Sequence, residues 1–255
     1  NVPAGETLTD TTVRTGSTII VKRGAGTLIL DLANTHTGGL VVEEGEVVIR
    51  NVAALNGGPL VVHAGAKISL EVGMAVVPVS LLTLDPAASL DVGEGGLKIA
   101  ANGTTEPLLR QALIDGRATG NWKGEKGMTS STAAATSGKS VGYAWLADGS
   151  VVVRYTIDGD AQLDGKADFD DILALFPFYQ AAGTYRWQEG DFTYDGKVDF
   201  DDILALFPNY GSNALFGGSG LGVGGGSGAG LGGGGGGSGD TAWLSGFGGS
   251  GTGET

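Results

Sequence analysis

The chain has 255 residues, 49 of them glycine, and its 28 acidic side chains against 15 Lys and Arg leave a net charge of −13. So acidic a surface excludes nucleic acid and anionic membrane surfaces as partners, because both select clustered Lys and Arg. With no cysteine there is no disulfide, thiolate nucleophile or Cys-bound metal, and no apolar run reaches the ~18 residues of a membrane span.

From the N-terminus the sequence predicts short strands between glycine turns, at Thr18–Val21, Thr27–Leu30, Leu40–Val42, Val47–Ile49 and Leu60–Val62. They follow a register. Leu60–Gly73 aligns without gaps on Ser80–Gly93 at an offset of 20, and Val41, Val42 and Gly45 lie another 20 upstream of Val61, Val62 and Gly65. Ile20, Val21 and Gly24 lie a further 21 back. Such a period is the length of one coil of a parallel β-helix, where equivalent apolar residues stack at ~4.8 Å in one core. An antiparallel sandwich also spaces its strands regularly, but it does not require a constant offset. The expected fold is therefore mainly β, a parallel β-helix (solenoid) body.

The stretch Gly24-Ala-Gly-Thr-Leu-Ile-Leu-Asp-Leu-Ala-Asn34-Thr-His36-Thr-Gly-Gly-Leu-Val-Val-Glu-Glu-Gly-Glu-Val47 resembles the autotransporter-associated β-strand repeat. The resemblance implies stacked coils in large surface or secreted bacterial proteins. It places Asn34 and Thr37 in a turn, where such side chains bond their own backbone. His36 falls at the motif's aromatic position, as a stacking turn residue rather than a ligand, and His63 also reads as structural.

Beyond residue 94 the periodicity fades. Glu106–Ile114 predicts a short helix with Pro107 in its first turn and Asp115-Gly116 as its stop. Asn121–Lys139, rich in Gly, Ser, Thr and Lys, reads as loop, and Val151–Ile157 returns to strand. Trp122 and Trp145 are expected to cover the open end of the core, since a solenoid must bury its last coil.

A duplication follows. Asp160–Asp171 recurs 31 residues later as Asp191–Asp202, and both copies run into Ile-Leu-Ala-Leu-Phe-Pro. Carboxylates at loop positions 1, 5, 9 and 12, with glycine at position 6, match the spacing that wraps a calcium ion. The expected ligands are Asp160, Gln162, Asp164, Lys166, Asp168 and Asp171, then Asp191, Thr193, Asp195, Lys197, Asp199 and Asp202, for two calcium ions. Lys166 and Lys197 would offer only their carbonyls, and Ala167 and Val198 would pack inward between the loops. Pro177 and Pro208 keep the following helices short. The duplication resembles a type I dockerin over about Asp158 to Gly211, and the whole arrangement is similar to large exported proteins of planctomycete-type bacteria. Where dockerins often carry Ser or Thr for cohesin recognition, at loop positions 10 and 11, this chain has Phe169-Asp170 and Phe200-Asp201.

Every even-numbered residue from Gly218 to Gly236 is glycine. That pattern suits a disordered linker, an extended strand with one bare face, or a polyglycine packing, with Trp243, Leu244 and Phe247 as anchors. Four parts are thus expected: β-solenoid coils over 1–100, a capping region over 101–157, a dockerin-like calcium domain over 158–211 and a glycine-rich tail over 212–255. The start at Asn1, without an initiator Met or a signal peptide, fits a processed, exported protein or a fragment.

The functional expectation is a non-catalytic extracellular structural protein of a bacterium that self-assembles into a surface layer or filament. Its partners would be further copies of itself, a cohesin-like protein or a surface polysaccharide. The alternatives are a dockerin-type module docking a β-helical cargo, and a polysaccharide-active β-helix enzyme, for which the coils carry too few clustered Asp, Lys and Arg.

Overall fold

The computed structural model describes residues 1–213; the glycine-rich segment from 214 onward, with its three candidate packings and aromatic anchors, lies outside the described residues. In chain order the strands and helices are β1 (Thr7–Asp10), β2 (Ile20–Lys22), β3 (Thr27–Leu30), β4 (Leu40–Val42), β5 (Glu46–Ile49), β6 (Leu60–Val62), β7 (Lys67–Leu70), β8 (Val76–Val79), β9 (Leu82–Leu84), β10 (Ser89–Asp91), β11 (Gly96–Ile99), α1 (Glu106–Arg117), β12 (Gly127–Thr129), α2 (Ser131–Ala135), β13 (Lys139–Trp145), β14 (Val151–Ile157), α3 (Phe169–Leu175) and α4 (Phe200–Leu206).

The pairing defines a parallel β-solenoid. One six-stranded sheet runs β1-β3-β5-β7-β10-β12 and a second runs β2-β4-β6-β9, every pair in them parallel. A third sheet, β13-β14-β11-β8, begins parallel and ends in an antiparallel hairpin. Because strand side chains alternate, each coil sends every second residue inward. Leu28, Val47, Ile68, Leu90 and Met128 form one buried column, and Ile20, Leu40, Leu60 and Leu82 form another.

The register differs from the sequence reading at two places, with different consequences. Leu60 pairs with Leu82 and Ile68 sits beside Leu90, an offset of 22 where a gap-free alignment gives 20. A two-residue slip leaves every side chain on its expected face. The other slip is by one residue: Ile20 pairs with Leu40 and Lys22 with Val42, an offset of 20 rather than 21. That reverses the face and turns Lys22 inward at the head of the Val42–Val62–Leu84 column. Its ammonium donates to the carbonyls of Gly24 (2.5 Å) and Glu44 (2.9 Å), which compensates for the loss of water. Burial lowers its pKa, opposed by the attraction of Glu44.

The turns are stapled from coil to coil. Asn34 is buried; its Oδ1 accepts from the Arg14 N–H (2.8 Å) and its Nδ2 donates to the Ala54 carbonyl (2.9 Å). These partners lie one coil back and one coil forward, so Asn34 bonds neighbouring coils rather than its own turn. Asn51 and Asn56 reach back in the same way to the carbonyls of Asp31 and His36. His36 is buried, and neither ring nitrogen has a hydrogen-bond partner among the described residues.

Helix α1 runs three residues beyond the expected end at Ile114. Gly116 does not stop it, because its bare Cα is the point where the helix presses onto the carbonyl of Met128 in β12, with no room for a side chain. The predicted loop over 121–139 contains β12, which extends the six-stranded sheet, and α2, capped by Ser130 accepting from the Ala133 N–H (3.0 Å). Trp122 is buried, with its indole N–H on Ser140 (3.2 Å), and Trp145 is half-buried against Glu106.

Replacing Asn34 with Ala leaves an N–H and a carbonyl of adjacent coils unpaired. The expected loss is about 2 kcal/mol, read as a fall in the denaturation midpoint, and an unchanged midpoint would contradict the staple.

Candidate functional site

The tandem loops and their helices fold as two copies of one unit. Each short helix opens with a reciprocal cap: Asp168 accepts from the Asp170 N–H (3.0 Å) while Asp171 accepts from the Asp168 N–H (2.8 Å). Asp199 and Asp202 repeat it at 3.0 and 2.9 Å. Such a box satisfies orphan donors of the first turn and places carboxylates against the positive end of the helix. Pro177 and Pro208 then sit in 3₁₀ turns directly after the helices.

The copies embrace each other crosswise. Gly211 donates to the Ala167 carbonyl (2.7 Å), and Gln180, its equivalent one repeat earlier, donates to the Val198 carbonyl (2.8 Å). Ala167 and Val198 are fully buried at this junction. The glycines at loop position 6 have φ of +84° (Gly165) and +92° (Gly196), the left-handed conformation that the sharp bend needs. Leu163 and Tyr194 adopt the same region at position 4 (φ +57° and +64°), and both are buried in the core, which offsets the strain.

The twelve loop residues do not assemble a calcium site. Among the described residues no group of three or more His, Cys, Asp or Glu side chains is gathered so as to hold a metal ion. The expectation of two calcium ions, held by Asp160, Gln162, Asp164, Lys166, Asp168 and Asp171 and by Asp191, Thr193, Asp195, Lys197, Asp199 and Asp202, is thereby corrected. The physical reason lies in where the carboxylates turn. Asp160 accepts from the N–H groups of Gly165 (2.8 Å) and Asp164 (3.2 Å) and from the Thr156 hydroxyl. Asp171 closes the loop on Ala161 N–H (2.8 Å), and Asp202 does so on Thr193 N–H (2.9 Å). At position 5, Asp164 and Asp195 accept from the N–H of Lys166 (2.9 Å) and Lys197 (2.8 Å) in their own turns. Backbone donors thus engage at least one oxygen of each of these carboxylates.

In the second loop the cation is a guanidinium. Arg110 of α1 donates to Asp191 (2.5 Å) and to the Tyr185 carbonyl (2.9 Å), and the Asp191 side chain is fully buried. One oxygen of Asp191 is left without a hydrogen-bond partner among the described residues. One turn earlier on α1, Glu106 accepts from the Tyr143 hydroxyl (2.6 Å) and the Trp145 indole and meets Arg186 at 3.2 Å. Trp187 lies against Gly142 of β13, where any Cβ would strike its ring, and donates to the Asp160 carbonyl (2.6 Å). Sequence reading missed Glu106 and Arg110 because their partners lie about 40 to 80 residues downstream; the one signal was a Glu and an Arg one helical turn apart.

The buried carboxylates are held protonated more readily than usual. Burial raises the pKa of Asp160 to about 7 and that of Asp171 to about 8, where the Asp160 charge adds to the rise. Burial likewise raises Asp191 to about 6, opposed by Arg110, and Asp158 to about 7.

The outer faces of the two helices carry the same apolar triplet. Phe169, Leu173 and Phe176, and their repeats Phe200, Leu204 and Phe207, are each half or more exposed.

Over residues 20–49, the stretch from β2 through β5, the chain is similar to the passenger-associated-transport-repeat. This supports the autotransporter-associated likeness for that part of the solenoid. Comparison with curated proteins and with solved structures gives no significant match. Among the described residues no helix is long and apolar enough to cross a membrane.

A folded-state pKa raised above the unfolded carboxylate value contributes stability that is present below about 4 and lost as pH rises through the folded pKa. The melting temperature of the loop unit should therefore fall between pH 5 and pH 8.5, and a rise over that window would contradict the burial of protonated Asp160 and Asp171. Replacing Arg110 with Ala strands the Asp191 charge and should cost about 3 kcal/mol, whereas a chelator should leave the wild-type melting curve where it is.

Proposed function

We propose that the chain is a non-catalytic structural protein of the bacterial cell exterior, a rigid β-solenoid that assembles with further copies of itself into a layer or filament. The observation that carries this reading is a parallel stack of coils from Thr7 to Thr129, with a passenger-associated-transport-repeat likeness in its first coils. The ionisable side chains on the coils also favour a structural role. Two arginine–glutamate pairs, Arg23 with Glu43 (2.6 Å) and Arg50 with Glu71 (2.7 Å), tie adjacent coils together, the use a stacked scaffold makes of surface charge.

On this reading residues 1–100 supply the coils, 101–157 close the stack, 158–211 form a tandem-loop module bonded onto that closure, and 212–255 are a glycine-rich tail for attachment or assembly. A second reading is favoured by the repeated Phe-Leu-Phe faces of α3 and α4. Exposed apolar patches of this kind mark interaction surfaces, and the module would then dock the solenoid onto a receptor of the cohesin type.

Electron microscopy of the purified full chain at physiological salt tests the first reading: ordered filaments or sheets are expected, and single particles at every concentration would contradict it. For the second, an immobilised cohesin domain should retain the wild type and release a Leu173→Asp, Leu204→Asp variant. Equal retention of both would remove α3 and α4 from the contact.

A further inference from the structure

The outer face of the β2-β4-β6-β9 sheet carries exposed apolar side chains, the kind of patch that marks an interaction surface. Its central outward column is Val21, Val41, Val61 and Thr83, in register from coil to coil. Ile19 and Leu81 flank it, and Ile19, Val21 and Leu81 are 56%, 41% and 40% exposed. Just past the strands, the next outward position in each coil is charged or polar: Arg23, Glu43, His63 and Asp85 descend in order. The ladder bonds from Lys22 to Glu43, Val42 to His63 and Val62 to Asp85 hold them in step. Arg23 meets Glu43 at 2.6 Å and His63 meets Asp85 at 3.1 Å, and all four remain partly exposed.

We propose that this face is a docking surface for a second copy of the chain, packed back to back about a two-fold axis parallel to the strands. The inference rests on the self-assembly reading above and names its surface. Charge complementarity selects a second copy as the occupant. Such an axis reverses the order of coils while keeping each column opposite its own counterpart. Arg23 then faces Asp85 of the second copy and Glu43 faces His63, so each acidic side chain opposes a basic or donor side chain. Val41 meets Val61, and Ile19 meets Leu81, apolar against apolar. The same ladder with like charges at its two ends would repel itself in this arrangement, and like-charge juxtaposition is a strong bar to association. The contact is isologous, as expected of a closed dimer, and the two sheets would pack at the ~10 Å of a sandwich.

Sedimentation of the full chain over a range of concentrations, with far-UV circular dichroism as a check on folding, tests it. The smallest assembled species should have twice the 25.5 kDa of the chain. Val41→Lys should raise its dissociation constant by roughly tenfold or more, and so should Arg23→Asp, whose exposed position keeps the fold intact. Within one chain, residues 23 and 85 are three coil spacings apart, roughly 14 Å, too far to pair. The double variant Arg23→Asp, Asp85→Arg should therefore recover association only if the two residues meet across copies. Assemblies that persist unchanged in Val41→Lys and Arg23→Asp would overturn this surface and leave self-assembly standing. A wild type that stays monomeric throughout would overturn both.

Discussion

Everything in this molecule depends on the hydrogen-bond register between successive coils. The ladder that joins Lys22 to Glu43, Val42 to His63 and Val62 to Asp85 decides which residue lies over which, and a shift of one residue exchanges inside for outside. With the register set, Leu40, Leu60 and their column-mates are buried, each contributing ~1.5–3 kcal/mol of apolar burial. The same setting fixes the polar features. It carries Asn34 to within reach of two other coils, points Lys22 at the carbonyls of Gly24 and Glu44, and lines up the Arg23–Glu43–His63–Asp85 ladder on the outside.

A stack of parallel strands has no natural end, and the described chain from α1 onward is concerned with making one. The β13–β14 hairpin switches the third sheet to antiparallel pairing, which stops the parallel repeat. Helix α1 closes the core over β12, and its Glu106 and Arg110 bind the segment from Tyr185 to Asp191. The tandem-loop unit is thus an extension of the cap. Its Trp187, Phe192 and Tyr194 share a continuous apolar cluster with Val141 and Tyr143 of β13. Arg110 supplies the second loop with positive charge from within the fold, and the price is one buried Asp191 oxygen without a partner.

Much of the coil architecture was legible in the sequence, because Leu-Val-Val triplets at a near-constant spacing leave few other folds that bury them together. The lengths of individual coils were not. The coil that includes β8 adds a two-residue shift that the apolar pattern cannot report, since parity is preserved. Lys22 was hidden for the opposite reason: aligning Val21 with Val42 keeps a lysine outside, where composition would put it, and only the backbone register shows it inside. The duplication in 160–202 was also plain, together with its short helices, glycine bends and inward Ala167 and Val198, whereas the reciprocal caps of those helices were not. Whether its carboxylates turn toward a metal or toward N–H groups is a matter of a few side-chain torsions, which loop spacing does not determine. The run from 121 to 139 looked like loop by composition, yet β12 and α2 form there because the sheet edge and Ser130 offer partners that local propensity does not contain.

The register can be tested directly, since the chain has no cysteine of its own. Outward positions on adjacent coils lie about 4.8 Å apart, within the Cα separation that a disulfide accepts. The measurement is the yield of intrachain disulfide, on mild oxidation at high dilution, in two double variants. Val61→Cys with Thr83→Cys, partners in the observed ladder, should cross-link efficiently, while Val61→Cys with Leu81→Cys, partners in the gap-free alignment, should remain largely reduced. The reverse result would contradict the register between β6 and β9, and with it the pairing of His63 with Asp85 and the outer ladder derived from it.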